Sequence, residues 1–265
     1  MALMIDFTGR WFLLCGVANG GIGGATARVL AEAGAQIMAV DIGQDIIDQT
    51  ISDIERAGGR ADGMVADLMD ADQSDRIVPE MIRRVGRVDG VINVAGGTRA
   101  DEWMPLEHTP TASFRQTLNL NLEYVFRICR DAANAMIGAG ISGSLINVSS
   151  ISGLASAPHH GPYGAAKAGI AALTRTMAFE WARYGIRANS VAPGAVLTKR
   201  VIDRGAVEDQ PGMAWTMPDE LANAIAFLLS DMASGISGQN LVVDSGLSTR
   251  FCGSMEPFEL RKGNV

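Results

Sequence analysis

WFLLCGVANGGIGGATARVLAEAGAQIMAVD, residues 11–41, carries the pattern that decides the fold. Trp11–Cys15 is a continuous apolar run, and unbroken hydrophobicity suits a strand covered on both faces. The glycine-rich segment Gly16–Gly23 follows. Ile22, Ala25, Val29, Leu30 and Ala33 then fall on one helical stripe that stops at Gly34. Ile37–Val40 reads as a second buried strand ending at Asp41. A glycine turn between a first strand and a first helix is a phosphate cradle. Glycines let the backbone approach a pyrophosphate, and the helix N-terminus supplies N–H groups and positive partial charge. An ATP-binding loop would need Lys and Ser/Thr after the second glycine, whereas Gly21 is followed by Ile22 and Gly23. Asp41 stands eighteen residues past Gly23. A carboxylate there accepts both hydroxyls of an adenosine ribose and repels a 2′-phosphate, so NAD is expected over NADP. The plainer alternative is a solvated aspartate at a strand end.

The alternation continues outward. A polar helix over 44–58 leads to a short strand near Met64–Ala66 that ends at Asp67. A helix over 71–86 leads to a strand over Val91–Val94. A long helical region spans 103–139, interrupted at Pro105 and Pro110. Leu145–Val148 is a fifth strand, Arg187–Val191 a sixth and Leu241–Val243 a seventh, with a helix over 218–231 before the last. Strands alternating with helices predict an α/β fold with a parallel sheet covered on both faces. No linker, repeat or low-complexity segment divides the chain, so 1–265 reads as a single domain.

A second stretch, Ser150–Lys167, carries the chemistry. Tyr163 and Lys167 are four residues apart, which on a helix places them one turn apart on one face. A free phenol titrates near pH ~10, and a cation beside it favours phenolate by about 1–3 units. Ser150, thirteen residues upstream of Tyr163, offers a hydroxyl to a substrate oxygen. This set suits proton transfer to or from an alcohol or carbonyl oxygen. Taken alone, Tyr-x-x-x-Lys is far more often a surface pair of no consequence, and the rest of the chain changes the odds.

Bulk properties narrow the classes. The 265 residues are 48% hydrophobic and 19% charged, an ordinary globular composition. The net charge of −7, without a Lys/Arg block, gives no support to nucleic-acid or anionic-membrane binding. Cys15, Cys129 and Cys252 are odd in number and far apart, which points to a reduced, cytoplasmic protein. His159-His160 has no acid or cysteine close by, so no metal site is expected. The N-terminus lacks a basic region, apolar stretch and small-residue cleavage site. Trp11–Cys15 is too short to span a bilayer.

Together these stretches resemble the short-chain dehydrogenase/reductase family, from Arg10 to about Gly246. The resemblance implies a Rossmann-type doubly wound sheet, NAD(P) binding and a Ser-Tyr-Lys set with an Asn. The catalytic set maps onto Ser150 (Ser149 being the neighbouring candidate), Tyr163, Lys167 and Asn121, with Asn119 as the competing register. For the cofactor it implies Gly16, Asn19, Gly21, Ile22 and Gly23 at the glycine turn, and Asp41 and Ile42 after the second strand. Asp67 and Leu68 would meet the adenine. Asn93, Ala95 and Gly96 match the family's Asn-Asn-Ala-Gly element, with Val94 replacing its second Asn. Pro193, Gly194, Val196 and Thr198 match the segment that holds the nicotinamide carboxamide. Two departures stand out. The family turn is Thr-Gly-x-x-x-Gly-x-Gly, whereas Cys15 replaces the Thr and either Gly20 or Gly21 is inserted. Asp244-Ser245-Gly246 replaces Asp-Gly-Gly.

The resemblance implies NAD-dependent hydride transfer between a secondary alcohol and a ketone. Tyr163 would exchange the proton, with its pKa lowered by Lys167. Lys167 would also hold the nicotinamide ribose, Ser150 the substrate oxygen, and Asn121 a water linking Lys167 to solvent. The substrate loop is expected over about 195–217, with Met213 and Trp215 as apolar walls. Gly153–Pro162 (His159 and His160) and Gly97–Met104 (Trp103) would form the other sides, giving an apolar pocket with few fixed charges. A homodimer or homotetramer through helices near 107–137 and 161–184 is also implied. The tail after about residue 247, with Arg250, Phe251 and Phe258, packs on a neighbour or frays. The competing readings are an NAD-binding scaffold or sensor without catalysis, a methyltransferase, and a family member that epimerises or dehydrates.

Overall fold

The computed structural model describes residues 4–98, 103–205 and 214–249. Seven parallel strands form one sheet in the order β3-β2-β1-β4-β5-β6-β7. They are β1 (Trp11–Cys15), β2 (Gln36–Asp41), β3 (Arg60–Val65), β4 (Gly90–Asn93), β5 (Ser144–Val148), β6 (Arg187–Pro193) and β7 (Asn240–Val243). The chain winds outward from β1 to β3, returns to β4 beside β1, and winds the other way. The carboxyl ends of β1 and β4 therefore flank the switch point at which sheets of this kind bind ligands.

Eight α-helices cover the sheet among the described residues: α1 (Ile22–Glu32), α2 (Gln44–Arg56), α3 (Ala71–Val85), α4 (Thr111–Leu118), α5 (Tyr124–Ala139), α6 (Gly161–Trp181), α7 (Lys199–Asp203) and α8 (Pro218–Leu229). β1 shows why the run reads as continuously apolar. Trp11, Leu13 and Cys15 point to one face, into a core with Met81 of α3, Ile128 of α5 and Met177 of α6. Phe12 and Leu14 point to the other, among Leu30 of α1 and Leu221 and Ile225 of α8. Both faces are dry, so both sets of alternate residues must be apolar.

Three differences from the sequence reading have local causes. β3 begins at Arg60, earlier than expected, because this edge strand carries Arg60, Asp62 and Gly63 on partly exposed positions. The 103–139 region divides into a short turn at Leu106–His108, α4, a π-helical turn over Asn119–Glu123, and α5. The loop expected over 195–217 contains α7, whose N-cap Thr198 accepts a hydrogen bond from the Val201 N–H. Met213, the C-terminal tail from Arg250 and Cys252 lie outside the described residues.

Candidate active site

The glycine turn closes against β4 and α1. A Cβ on Gly16 would lie 2.6 Å from the Ala95 nitrogen, and one on Gly23 would fall on the Gly16 carbonyl. Neither position tolerates a side chain, so the first turn of α1 sits directly on the loop. Gly20, one of the two glycines that could be the insertion, adopts φ +72° inside a turn closed by the Gly21 N–H on Ala18 O at 3.2 Å. Gly20 O in turn accepts the Lys199 N–H at 2.8 Å. Gly20 thus ties the glycine turn to the start of α7.

Asp41 ends β2 beside this turn. Its carboxylate accepts the Val17 N–H at 2.9 Å and the Ile42 N–H at 2.8 Å. Asp67 follows β3 and accepts the Met69 N–H at 2.9 Å, with Leu68 buried behind it. Ala95 lies under the turn, its N–H on Cys15 O at 2.9 Å and its carbonyl accepting the Tyr124 hydroxyl at 2.6 Å. Asn93 is different. Its amide faces into the core, donating to Asn147 Oδ1 at 2.9 Å and Cys129 Sγ at 3.3 Å, so its side chain braces β4 against β5 beneath the groove. On the other side, Gly194 donates to Val243 O and Val196 bridges to Thr216, which joins the two ends of the loop.

The proton-transfer set gathers at the end of β5. Ser150 caps the short turn Ile151–Gly153, and its Oγ accepts the Ser152 N–H at 3.1 Å. Ser149 is committed elsewhere, donating to Asn240 Oδ1 at 2.7 Å. Tyr163 lies in the first turn of α6, a helix opened by Gly161 and Pro162, where proline's missing N–H costs nothing. One turn on, Lys167 is almost fully buried, with Nζ 5.5 Å from the Tyr163 ring centroid and donating to Val148 O at 2.8 Å.

Burial dominates the electrostatics. It pulls the Lys167 ammonium down to about 7. It pushes the Tyr163 phenol up, with the adjacent Ser150 hydroxyl opposing that rise. The expected lowering of the phenol by Lys167 is therefore not a property of the resting protein. Removing both groups from water penalises both charged forms, and Nζ is spent on a carbonyl.

Asn121 reaches the site through the π-helical turn. There the Tyr124 N–H bonds five residues back, to Asn119 O. The Thr117 carbonyl takes the Asn121 amide instead, at 3.0 Å. The same side chain accepts the Gly97 N–H at 2.8 Å and donates to Gly97 O at 3.0 Å. Both amide hydrogens are thereby used, and the loop after β4 is held in place. A Cβ on Gly96 would sit 2.6 Å from Asn121 Oδ1 and 3.4 Å from Lys167 Nζ. Asn119, the competing register, points away to Met69 O at 2.9 Å.

At the mouth, two residues expected as pocket walls come together and one group not foreseen joins them. Trp103 stacks on His160 with centroids 4.5 Å apart and planes at 19°, and His160 lies 6.0 Å from the Tyr163 ring. Arg200, on α7, donates to Thr98 O at 3.1 Å. The pocket expected to be nearly free of fixed charge thus has a guanidinium at its rim. The only sequence signal was its place two residues past Thr198. A cavity of about 770 Å³ adjoins the glycine turn between α1, α2, α7 and α8, lined in part by Asn19 and Gly21, and none of Ser150, Tyr163 and Lys167 lines it. Among the described residues no cluster of His, Cys, Asp or Glu could hold a metal ion, and no helix is long and apolar enough to cross a membrane.

Comparisons with known proteins agree with this geometry. A family model described as enoyl-(acyl carrier protein) reductase matches residues 16–248. The 3-oxoacyl-(acyl carrier protein) reductase FabG of Thermotoga maritima is 33% identical, over 90% of this chain and 98% of that protein. The cis-4-hydroxycyclohexanecarboxylate dehydrogenase of Sinomonas cyclohexanicum is 37% identical, over 91% and 97%. Among solved structures, a short-chain type dehydrogenase/reductase from Mycobacterium ulcerans superposes with a TM-score of 0.84 at 28% identity, over 92% of each chain. A 7α-hydroxysteroid dehydrogenase, complexed with NADH and 7-oxo glycochenodeoxycholic acid, gives 0.81 at 30% identity, over 91% and 95%. With the sheet order, the glycine turn and the Ser-Tyr-Lys cluster, these matches make the chain a member of the short-chain dehydrogenase/reductase family of oxidoreductases.

Proposed function

We propose that this chain is an NAD-dependent oxidoreductase that interconverts a ring-bearing secondary alcohol and its ketone, with Tyr163 as the acid/base. The observation that carries the reading is the convergence of Ser150 from the turn after β5 with Tyr163 and Lys167 from α6, beside the glycine cradle. The cradle suits a dinucleotide, since Gly16 and Gly23 let the loop pack tightly against Ala95 and bring the N-terminus of α1 directly onto the turn. Gly16, Asn19, Gly21, Ile22 and Gly23 would take the pyrophosphate, and Asp41 and Ile42 the adenosine ribose. Asp67 and Leu68 would meet the adenine. Ala95 and Gly96, with Asn93 bracing them, would line the floor. Pro193, Gly194, Val196 and Thr198 would take the carboxamide. When bound, NAD supplies a hydride acceptor and a positively charged ring.

The chain's own part is the proton. In oxidation Tyr163 Oη takes the alcohol proton, and in reduction it returns it. The Ser150 hydroxyl donates to the same substrate oxygen and stabilises charge developing there. In the loaded site a protonated Lys167 would favour the phenolate and would hold the nicotinamide ribose. Asn121 acts as a positioning residue for Gly97 and would share a water with Lys167. The ring-bearing substrate is supported by the aromatic wall of Trp103 and His160, and by the names of the hydroxycyclohexanecarboxylate and hydroxysteroid relatives. Formation of NADH or NADPH with a panel of cyclic and acyclic secondary alcohols tests the reading. Reduction of NAD with cyclic members ahead of acyclic ones is expected. NAD binding without turnover on any alcohol would turn the assignment toward a silent scaffold.

A homo-oligomer formed through α4, α5 and α6 completes the reading. Phe179 of α6 is 88% exposed, and Phe114 and Phe126 are also exposed on α4 and α5. Phe179→Asp is expected to shift the sedimentation coefficient toward a smaller species, and an unchanged value removes α6 from the interface.

A further inference from the structure

Four short segments meet at the mouth of the site: Gly97–Thr98, Trp103–Met104, His159–His160 and α7. Backbone and side-chain bonds fix their relation. The Met104 N–H donates to His159 O at 2.8 Å, and the Trp103 indole N–H donates to Thr98 Oγ1 at 2.8 Å. His160 Nδ1 lies 2.8 Å from Pro158 O, so that nitrogen carries the hydrogen and the ring cannot turn freely. Arg200 joins this frame from α7. Its Nη2 donates to Thr98 O at 3.1 Å, and its Nη1 stands 3.8 Å from the point where a Gly97 Cβ would be. The start of α7 is itself fixed, by the Lys199 N–H on Gly20 O at 2.8 Å.

The neighbouring cations are already engaged. Lys199 pairs with Asp203 at 2.8 Å, and Lys167 is buried on Val148 O. Among the described residues, the hydrogen bond of Arg200 goes to the neutral Thr98 carbonyl. A guanidinium offers five N–H donors in one plane, and among the described residues only one of them has a partner. Such a fork matches the two oxygens of a carboxylate.

We propose that the substrate is an alicyclic hydroxy or oxo carboxylate, whose ring lies along Trp103 and His160 and whose carboxylate is received by Arg200. This rests on the oxidoreductase reading for the alcohol end and adds the group that selects among alcohols. Arg200 is the specificity-determining residue. The bond to Thr98 holds its side chain in place before substrate arrives, so little rotamer freedom is lost on binding. Arg200 is exposed in the open site, so the gain is that of a partly solvated charged pair, about tenfold in affinity.

The test is a binding comparison that needs no turnover. Cyclohexanecarboxylate and cyclohexanecarboxamide are titrated by calorimetry into the protein saturated with NAD, in wild type, Arg200→Gln and Arg200→Lys. Wild type is expected to bind the carboxylate about tenfold more tightly than the amide. Arg200→Gln should abolish the preference while leaving amide affinity and NAD affinity within about twofold. Arg200→Lys should retain part of it, because charge remains but the fork is lost. Equal affinities in wild type, or a preference that survives Arg200→Gln, would overturn the proposal. A loss of NAD affinity in Arg200→Gln equal to the loss for the carboxylate would also overturn it, by assigning Arg200 to the cofactor phosphates. Absence of turnover on every alcohol would count against the oxidoreductase reading alone.

Discussion

At the scale of single residues, the site is two ionisable groups held where neither charge is comfortable. Lys167 titrates at about 7 in the folded protein, against 10.5 ordinarily. Between those values the unfolded chain holds a proton that the folded chain lacks, so wild-type stability rises with pH across that window. Below it, both states are protonated and the full desolvation cost is borne. Lys167→Met should therefore be more stable than wild type below pH 7, by roughly 2–4 kcal/mol, with the difference shrinking toward pH 10.5. Urea unfolding across that range measures it, and a pH-independent difference would contradict the buried-cation account. The same variant should lose turnover. Tyr163, Lys167 and Ser150 were legible in the sequence because their spacing is local. Their charge states were not, since desolvation depends on what α6 packs against. Arg200 was missed for a similar reason: only the fold brings α7 to Thr98.

At the scale of elements, the glycine turn and the π-helical turn do the positioning. The sequence left open which glycine is extra. The structure shows that Gly20 has the positive φ, and the geometry adds a bond to α7 that no spacing rule contains. A Cβ there would lie 2.7 Å from Lys199 Cβ. Gly20→Ala is expected to lower stability by about 1–2 kcal/mol through the left-handed backbone alone. It should also weaken NAD binding, because the turn and α7 must part. Unfolding curves and NAD titration by fluorescence check both, and wild-type values in each would show that the latch carries no weight. Unbroken apolar runs gave away the strands buried on both faces. β3 was harder to bound, because its edge position admits charged residues. Pro105 and Pro110 marked the early breaks in 103–139, but the division between α4 and α5 was not legible, because the π-helical turn over Asn119–Glu123 inserts its extra residue with no proline or glycine to announce it.

At the scale of the molecule, the order of strands explains why residues so far apart in sequence share one groove. The reversal between β1 and β4 brings the glycine turn, Asp41, Gly96 and the end of β5 to one edge of the sheet. Asp41 ends β2 beside the glycine turn; under the proposed ribose contact, Asp41→Ala should weaken NAD binding several-fold more than NADP binding. Calorimetric titration of both cofactors reads that ratio, and an unchanged ratio would remove Asp41 from cofactor choice. The central claim is that the Tyr163 hydroxyl moves the substrate proton beside a bound nicotinamide. The most direct measurement is the NAD affinity and NADH-forming rate of Tyr163→Phe on a cyclic secondary alcohol, beside wild type. The predicted result is NAD affinity within about twofold and turnover reduced by about 10²–10⁴. Turnover equal to wild type would contradict it.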